Sequence, residues 1–417
     1  MMMRTTTRIS TSIAAACVAV GLLAACGRSD NAGGGAGGGE PVKVGLLEPL
    51  SGPFADNGKQ ARLGAELCTK NINDAGGIKA LGGAKIELVV KDTGAAAPAQ
   101  VANQLQSMIG QGDLSAVIGA WASSYTLAAS TVAEQAKVPM VTESFADNIV
   151  ERNYKYIFKL PAGAKTMGAQ AVDSVLELAK KSGYDVTTAA VTADNTSAAT
   201  VSANGAADRL TSLGVKVPVK EFFTPGLTEG NSLAIKILAS KPDLIFVQGS
   251  LSDMALLQKA FKEQGYTGPL LGAGSGFVAT DYAKTIGEAA NGTFSSAGWN
   301  WDIPGDAAKK FAEQFTAAHP EFPFPGQEAG EDCAAIHIIA TALEQAKSKK
   351  PQDVRDALSA VNITEGPATM LAAGKVSFDS TGMLKDTTPA IVQWQDGKPV
   401  TVAPAKIAST KPIPFKK

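Results

Sequence analysis

The chain reads as an α/β protein of two lobes, each an open, mostly parallel sheet flanked by helices. Three observations predict this. Short apolar runs alternate with helical stretches of ten or more residues, the spacing that parallel βαβ crossovers need. The alternation stops and restarts near Pro161, giving two series and a crevice between them as the expected site. The last third changes character, with helices and then isolated strands, as expected of a chain that re-enters its first lobe.

In the first series the strands are expected at residues 42–47, 85–90, 116–119, 138–142 and 154–160. Each is a short apolar run bounded by turn residues. The helices between them are expected at 58–75, 98–109 and 125–136, the first stopping at Gly76-Gly77. The second series reads helix 165–181, strand 186–192, helix 197–213, strand 217–223, helix 230–239, strand 244–248, helix 253–264 and strand 270–271. The tail carries helices at 306–318 and 328–346, then strands near 375–378 and 389–394. No internal repeat of solenoid length is present.

Composition narrows the function. A formal net charge of −1 with 45% hydrophobic residues describes a nearly neutral globular body, which argues against nucleic acid or an acidic membrane surface as partner. The two histidines, His319 and His337, form no zinc-spaced cluster with cysteine, and there is no phosphate-binding loop. Gly272-Ala273-Gly274-Ser275-Gly276 approaches a dinucleotide fingerprint and a nucleophile elbow but satisfies neither. No catalytic residue, metal or cofactor is indicated.

The N-terminus carries Arg4 and Arg8, then an apolar run over 13–25 that is too short to span a bilayer, then Leu23-Ala24-Ala25-Cys26. This resembles the lipobox of bacterial lipoproteins. The resemblance implies a signal peptide over 1–25 and an acylated Cys26, with the glycine-rich stretch up to residue 40 as a flexible tether. The protein is then expected outside the cytoplasm, lipid-anchored to the cell membrane, in the periplasm or on its outer face. Cys17 leaves with the leader, so Cys68 and Cys333 remain. They either bridge two sequence-distant helices or stay as separate buried thiols.

Ligands of open parallel sheets bind beyond the strands' carboxyl ends. The loops there are rich in small hydroxyls beside aromatics: Glu48 to Phe54, Ala120 to Tyr125, and Thr142 to Asp147. Ser123 or Ser124 would open a helix, where free N–H groups and the helix dipole favour a carboxylate. Simple N-capping explains any one such serine; three such loops on one edge indicate a site.

Several segments resemble the periplasmic branched-chain amino acid (Leu/Ile/Val) binding proteins of ABC transporters. They include Val42 to Leu47 with Leu50-Ser51-Gly52-Pro53, Gly64-Ala65-Glu66, Asn71 to Ile78, Ala116-Val117-Ile118-Gly119, Ser123-Ser124, Val138 to Thr142, Lys241 to Phe246, and the region of Gly382. The resemblance implies a clamshell with crossovers near 160, 292 and 376. Lobe I then comprises 41–160 and 293–375, and lobe II 161–292 and 376–417. It implies no catalysis, a small-molecule solute, and ABC permease subunits in the membrane as partners. It places the ligand at Ser123 and Ser144 of lobe I and near Asn195 to Ser197, Ser250 and Gly274 of lobe II, and the strand-end loops add Trp121, Ser124, Glu143 and Phe145 as candidates. By family default the solute is a branched-chain or related amino acid.

The sequence departs from that pattern where the ligand is read. Ala146 replaces a hydroxyl residue, Ser197 or Ala198 and Ser250 stand where tyrosines are usual, and Gly274 falls where an acid pairs the ligand's ammonium. A buried ammonium without a partner is costly. Glu143 or Glu48 would have to supply one, or the solute is an aromatic or short-chain acid or amide without an α-ammonium. Trp121 and Phe145 either stack on such a group or simply pack under the loop. Two other functions fit less well: a sensor lobe with the same fold, and an extracellular hydrolase using Ser123 or Ser275, which the shortage of histidine opposes.

Overall fold

The computed structural model describes residues 39–415. The expected leader, Cys26 and the tether up to residue 38 lie outside the described residues. Among the described residues, no helix is long and apolar enough to cross a membrane.

Two sheets organise the chain. The first contains β1 (Val42–Glu48), β2 (Ile86–Asp92), β3 (Leu114–Gly119), β4 (Met140–Thr142) and β5 (Ile157–Lys159), all parallel, in the order β2-β1-β3-β4-β5. The connecting helices are α1 (Ala55–Asp74), α2 (Pro98–Gly110) and α3 (Ser123–Ala136). With helices on both faces, β3 is buried at every residue, which is why it reads as an apolar run rather than an alternation. Pro98 opens α2 with its φ already set for the helix, and the side chain of Gln100 accepts the Ala97 N–H at 3.1 Å.

The second sheet begins after α4 (Ala164–Lys181). It takes in β6 (Thr188–Asp194), α5 (Ser197–Ser212), β7 (Lys216–Phe223), α6 (Asn231–Leu238), β8 (Leu244–Gln248), α7 (Leu251–Glu263), β9 (Leu270–Ala273), α8 (Tyr282–Ile286) and β10 (Phe294–Ala297). The chain then returns to the first lobe as α9 (Asp306–Ala318), α10 (Gln327–Ala346) and α11 (Pro351–Ala360), before β11 (Ala390–Gln395) and β12 (Lys398–Ala403) finish the second sheet. Its order is β12-β11-β10-β9-β8-β6-β7, parallel from β7 to β10 and antiparallel beyond. Pro218 lies in β7, an edge strand, where a missing N–H costs least.

In each sheet the order reverses once, between β1 and β3 and between β6 and β8. At such switch points the loops diverge and leave a crevice at the carboxyl edge.

The expected lobe limits shift in two places. β10 pairs with β9 and β11, so the chain leaves the second lobe after Ala297 rather than at 292. Met383 bridges Lys159 of β5, so the final crossover follows that point rather than 376. The strand expected near 375–378 reduces to isolated bridges, Ile363 with Val376 and Phe378 with Leu384. Gly382 explains the detour. Its φ is +87°, a Cβ there would collide with the Ile157 carbonyl, and its own carbonyl accepts the Lys159 N–H at 2.8 Å.

α10 is buried along most of its length and lies against α1 and the first sheet. Cys68 on α1 and Cys333 on α10 are joined as a disulfide with Cα atoms 5.3 Å apart, so the bridge that the sequence left open is made. One turn further along, burial pushes the His337 imidazole down to a pKa of about 4.

Removing the bridge with Cys68→Ala/Cys333→Ala should cost about 2–5 kcal/mol, read as a lower denaturation midpoint. Reductant should lower the midpoint of the native protein and leave that of the double variant where it is. The depressed His337 pKa has a definite sign. Between pH 6.5 and about 4 the unfolded chain takes up this proton first, so the residue's contribution falls as pH falls through that window. His337→Gln should therefore lose less stability than the native protein between pH 7 and 4.5 in denaturant titrations.

Candidate functional site

The carboxyl edge of the first sheet assembles most of the expected residues. After β3, Trp121 adopts φ +47°, a left-handed conformation that costs a non-glycine residue about 1–3 kcal/mol unless its surroundings fix it. Two bonds fix it here. The Ser144 hydroxyl donates to the Trp121 carbonyl at 2.6 Å, and the Trp121 indole donates to Glu328 Oε1 at 3.1 Å. The ring lies against Phe54, 4.8 Å between centroids at 43°, forming a half-buried aromatic wall.

Ser123 is the first residue of α3 and is buried. Its Oγ accepts the Ala146 N–H at 3.1 Å, which leaves the hydroxyl proton free to donate. The Ser123 and Ser124 N–H groups precede the first bonds of α3, which the Tyr125 and Thr126 N–H groups make to the Ala122 carbonyl at 2.8 and 3.0 Å, and they carry the positive end of its dipole. Ser124 beside it is exposed. Ser144 is buried, bonded to Thr126 Oγ1 at 2.5 Å as well as to Trp121, so it ties the loops after β3 and β4 together. Phe145 is half-buried and reaches the second lobe, where a Cβ on Gly274 would lie 3.1 Å from its ring.

On the second sheet, the expected residues also stand at carboxyl ends. Asn195 and Ser197 follow β6 and are exposed, Asn195 donating its N–H to the Phe223 carbonyl at 2.8 Å. Ser250 caps α7: its Oγ accepts the Asp253 N–H at 3.3 Å and donates to Asp253 Oδ2 at 2.8 Å. Gly274, with φ +70°, donates its N–H to the Ser296 carbonyl at 2.7 Å. Gly274 is brought against the first lobe's group through Phe145, and α5, which Ser197 opens, approaches α3. Sequence reasoning missed Asp194, a buried carboxylate at the end of β6 that accepts the Thr196 N–H at 3.0 Å.

Beneath the first-lobe loops lies a group of acids, of which sequence reasoning named Glu48 and Glu143 and missed the three on α10. Glu48 ends β1, Glu143 follows β4, and Glu328, Glu331 and Asp332 occupy the first two turns of α10; all are at most 3% exposed. Glu328 Oε1 accepts from Asn57 Nδ2 at 2.7 Å and from Trp121, and Glu331 Oε2 accepts from Gln327 Nε2 at 3.1 Å. The carboxylates of Glu48, Glu143 and Asp332 have no hydrogen-bond partner among the described residues. Burial, reinforced by the neighbouring acids, holds Glu48, Glu331 and Asp332 well above the usual carboxylate range, and burial lifts Glu143 to about 7. The buried Lys159 donates to the Pro161 carbonyl at 2.7 Å and is pushed down to about 7 by its own burial. Glu48 and Glu143, the expected partners for a ligand ammonium, are thus shut away from solvent below the site.

Comparison with known proteins agrees with this architecture. Leu/Ile/Val-binding protein homolog 8 of Brucella melitensis is 28% identical over 388 residues, 90% of this chain and 93% of the relative. A branched-chain amino acid transporter substrate-binding protein from Streptococcus pneumoniae, solved with isoleucine, superposes with a TM-score of 0.73 at 24% identity, covering 86% of this chain and 98% of that one. A solute-binding protein of an ABC transporter from Rhodopseudomonas palustris BisB5, solved with 3,4-dihydroxybenzoic acid, gives 0.75 at 23% identity, covering 89% and 98%. Residues 41–399 match the model of one family, and with its two sheets and facing carboxyl edges the chain belongs to the periplasmic binding proteins.

Proposed function

We propose that the chain is the extracytoplasmic, lipid-anchored receptor of an ABC importer, capturing a small carboxylate-bearing solute between its two lobes. The observation that carries this reading is the arrangement after β3. Ser123 and the open N-terminus of α3 offer donors to a carboxylate, and the Trp121–Phe54 wall beside them offers an apolar face. The second lobe closes on this group from the side of Gly274 and Phe145. Closure follows only if the solute binds the closed form better than the open one.

The solute's other end is read from what the cleft lacks. The Gly274 loop carries no acid, Asp194 is engaged by Thr196, and Glu48 and Glu143 are buried. Thr196 engages only Oδ1 of Asp194, so Asp194 Oδ2 is the counter-charge left for an α-ammonium; with so few acids at hand the reading favours a carboxylate with an apolar or aromatic body. The named ligands of the relatives keep an amino acid as the second reading: one neighbour holds isoleucine, another dihydroxybenzoic acid.

A thermal-shift panel of aromatic acids, short-chain acids, their amides and branched-chain amino acids tests this directly. A solute at ~100 times its dissociation constant adds about 2.7 kcal/mol of stability. Aromatic or short-chain carboxylates should give the largest shifts, with a change in tryptophan fluorescence on titration; strong shifts from leucine, isoleucine or valine alone would reinstate the amino acid reading. For the solute so identified, Trp121→Ala should weaken binding by at least about tenfold, ~1.4 kcal/mol by calorimetry. Ser123→Ala should cost about 1.5–3 kcal/mol of affinity through loss of a bond to a charged group. Ser144→Ala should instead lower folding stability by about 1–3 kcal/mol, because it leaves buried polar partners unpaired.

A further inference from the structure

We propose that Glu48, Glu143 and Asp332 form a binding site for one divalent, oxygen-preferring cation, of the size of calcium, at the floor of the first lobe. One ligand oxygen from each carboxylate lies within 4.8 Å of the others. Oxygens around Ca²⁺ sit at about 2.3–2.6 Å from the ion, so no two can be more than about 4.6–5.2 Å apart. The three carboxylates already satisfy that limit.

Acidic residues alone would not make a site; these carry further evidence. The three side chains are at least 97% shielded from solvent, and all six of their oxygens lack a hydrogen-bond partner among the described residues. Buried carboxylates are ordinarily paired, hydrogen-bonded or bound to metal. Glu328 and Glu331 are themselves acids, and the Lys159 ammonium is engaged by the Pro161 carbonyl; Glu48 and Glu143 lie close enough for one to bond the other when protonated, which still leaves Asp332 without a partner among the described residues. The backbone also opens towards the group. Gly119 faces it, and a Cβ there would come within 2.8 Å of Glu48 Oε1.

The donor set selects the ligand's class. Three carboxylates with no imidazole or thiolate suit a hard cation, and disfavour zinc or copper. A solute's ammonium is excluded by space, since the oxygens are sealed from solvent while a bare ion needs no cavity of molecular size. The ligands come from β1, the loop after β4, and α10, so the ion would pin three separate elements beneath the Trp121 loop. The inference is independent of the solute assigned above.

The test uses the whole mature chain, stripped with EDTA and desalted. Ca²⁺, Mg²⁺ and Mn²⁺ are each added at about 5 mM, above the ~10⁻⁴–10⁻³ M range of extracellular calcium modules. Calcium is expected to raise the thermal midpoint by several degrees and more than magnesium does, with about one ion per chain retained by elemental analysis. Tb³⁺ should bind competitively with Ca²⁺ and luminesce through tryptophan excitation. The variant Glu48→Gln/Glu143→Gln/Asp332→Asn, whose amides can bond one another in the same space, should lose the ion, the luminescence and the shift. If the native protein retains no ion and none of the three cations moves its midpoint, protons hold the cluster and the proposal fails. It also fails if the triple variant responds as the native chain does, for then the ion sits elsewhere. Solute affinity from the panel above is read separately, so either idea can fall without the other.

Discussion

The first lobe depends on how closely α10 approaches its neighbours. A Cβ on Gly64 of α1 would collide with the Ala329 carbonyl of α10, and a Cβ on Gly330 would collide with the Trp299 ring. Two glycines on two helices thus let α10 sink between α1 and the chain that returns from the second sheet. Filling either gap would push the helix outward, and close-packed interiors absorb such shifts poorly. From that seat α10 places Glu328 against the Trp121 indole, sets Cys333 opposite Cys68, and passes the chain on to α11. The Trp121–Phe54 wall is therefore held from behind by α10.

That support makes the site asymmetric. The first lobe's loops are locked to one another by Ser144, Ser123 and Trp121. The second lobe offers exposed Asn195 and Ser197, a serine occupied as a helix cap, and a bare glycine backbone. A pre-formed platform meeting a sparsely furnished lid fits a protein whose first contact orients the solute and whose closure adds mainly enclosure. The chain passes between the two sheets after Leu160, Ala297 and Leu384, and buried Lys159 and Glu331 lie beside two of these crossings.

Much of this was legible from residue order. Parallel strands covered on both faces announce themselves as apolar runs, and the strand over Leu244–Gln248 and the helix over Asp306–Ala318 fall where the pattern puts them. β10 escaped notice because Phe294-Ser295-Ser296-Ala297 has little apolar character, yet it is buried in mid-sheet. α11 escaped because Pro351 and the polar residues after it read as loop, although Val354 and Leu358 form a buried stripe. At the proposed site, Ser123 and Trp121 were named from their place at a strand end, and the structure puts both at the carboxyl edge of the first sheet. Ser250 and Ser144 look identical to ligand contacts in sequence, and only their bonds to Asp253 and Trp121 reveal a structural duty. The acids of α10 were hidden for another reason: carboxylates in a helix's first turns ordinarily serve its dipole at the surface. Nothing in their spacing records that α10 is buried on nearly every side.

The Cys68–Cys333 bridge spans 265 residues, and the second lobe's principal strands all lie inside that loop. The chain order then dictates an order of assembly. As the polypeptide emerges from a translocation channel, residues 164–297 are complete and locally connected long before Cys333 arrives. The strands β6 to β10 are then all present, while the first lobe still lacks α10 and the second sheet still lacks β11 and β12. The bridge is available only to a chain that has left the reducing interior of the cell, and β11 and β12 follow Cys333 to close the second sheet.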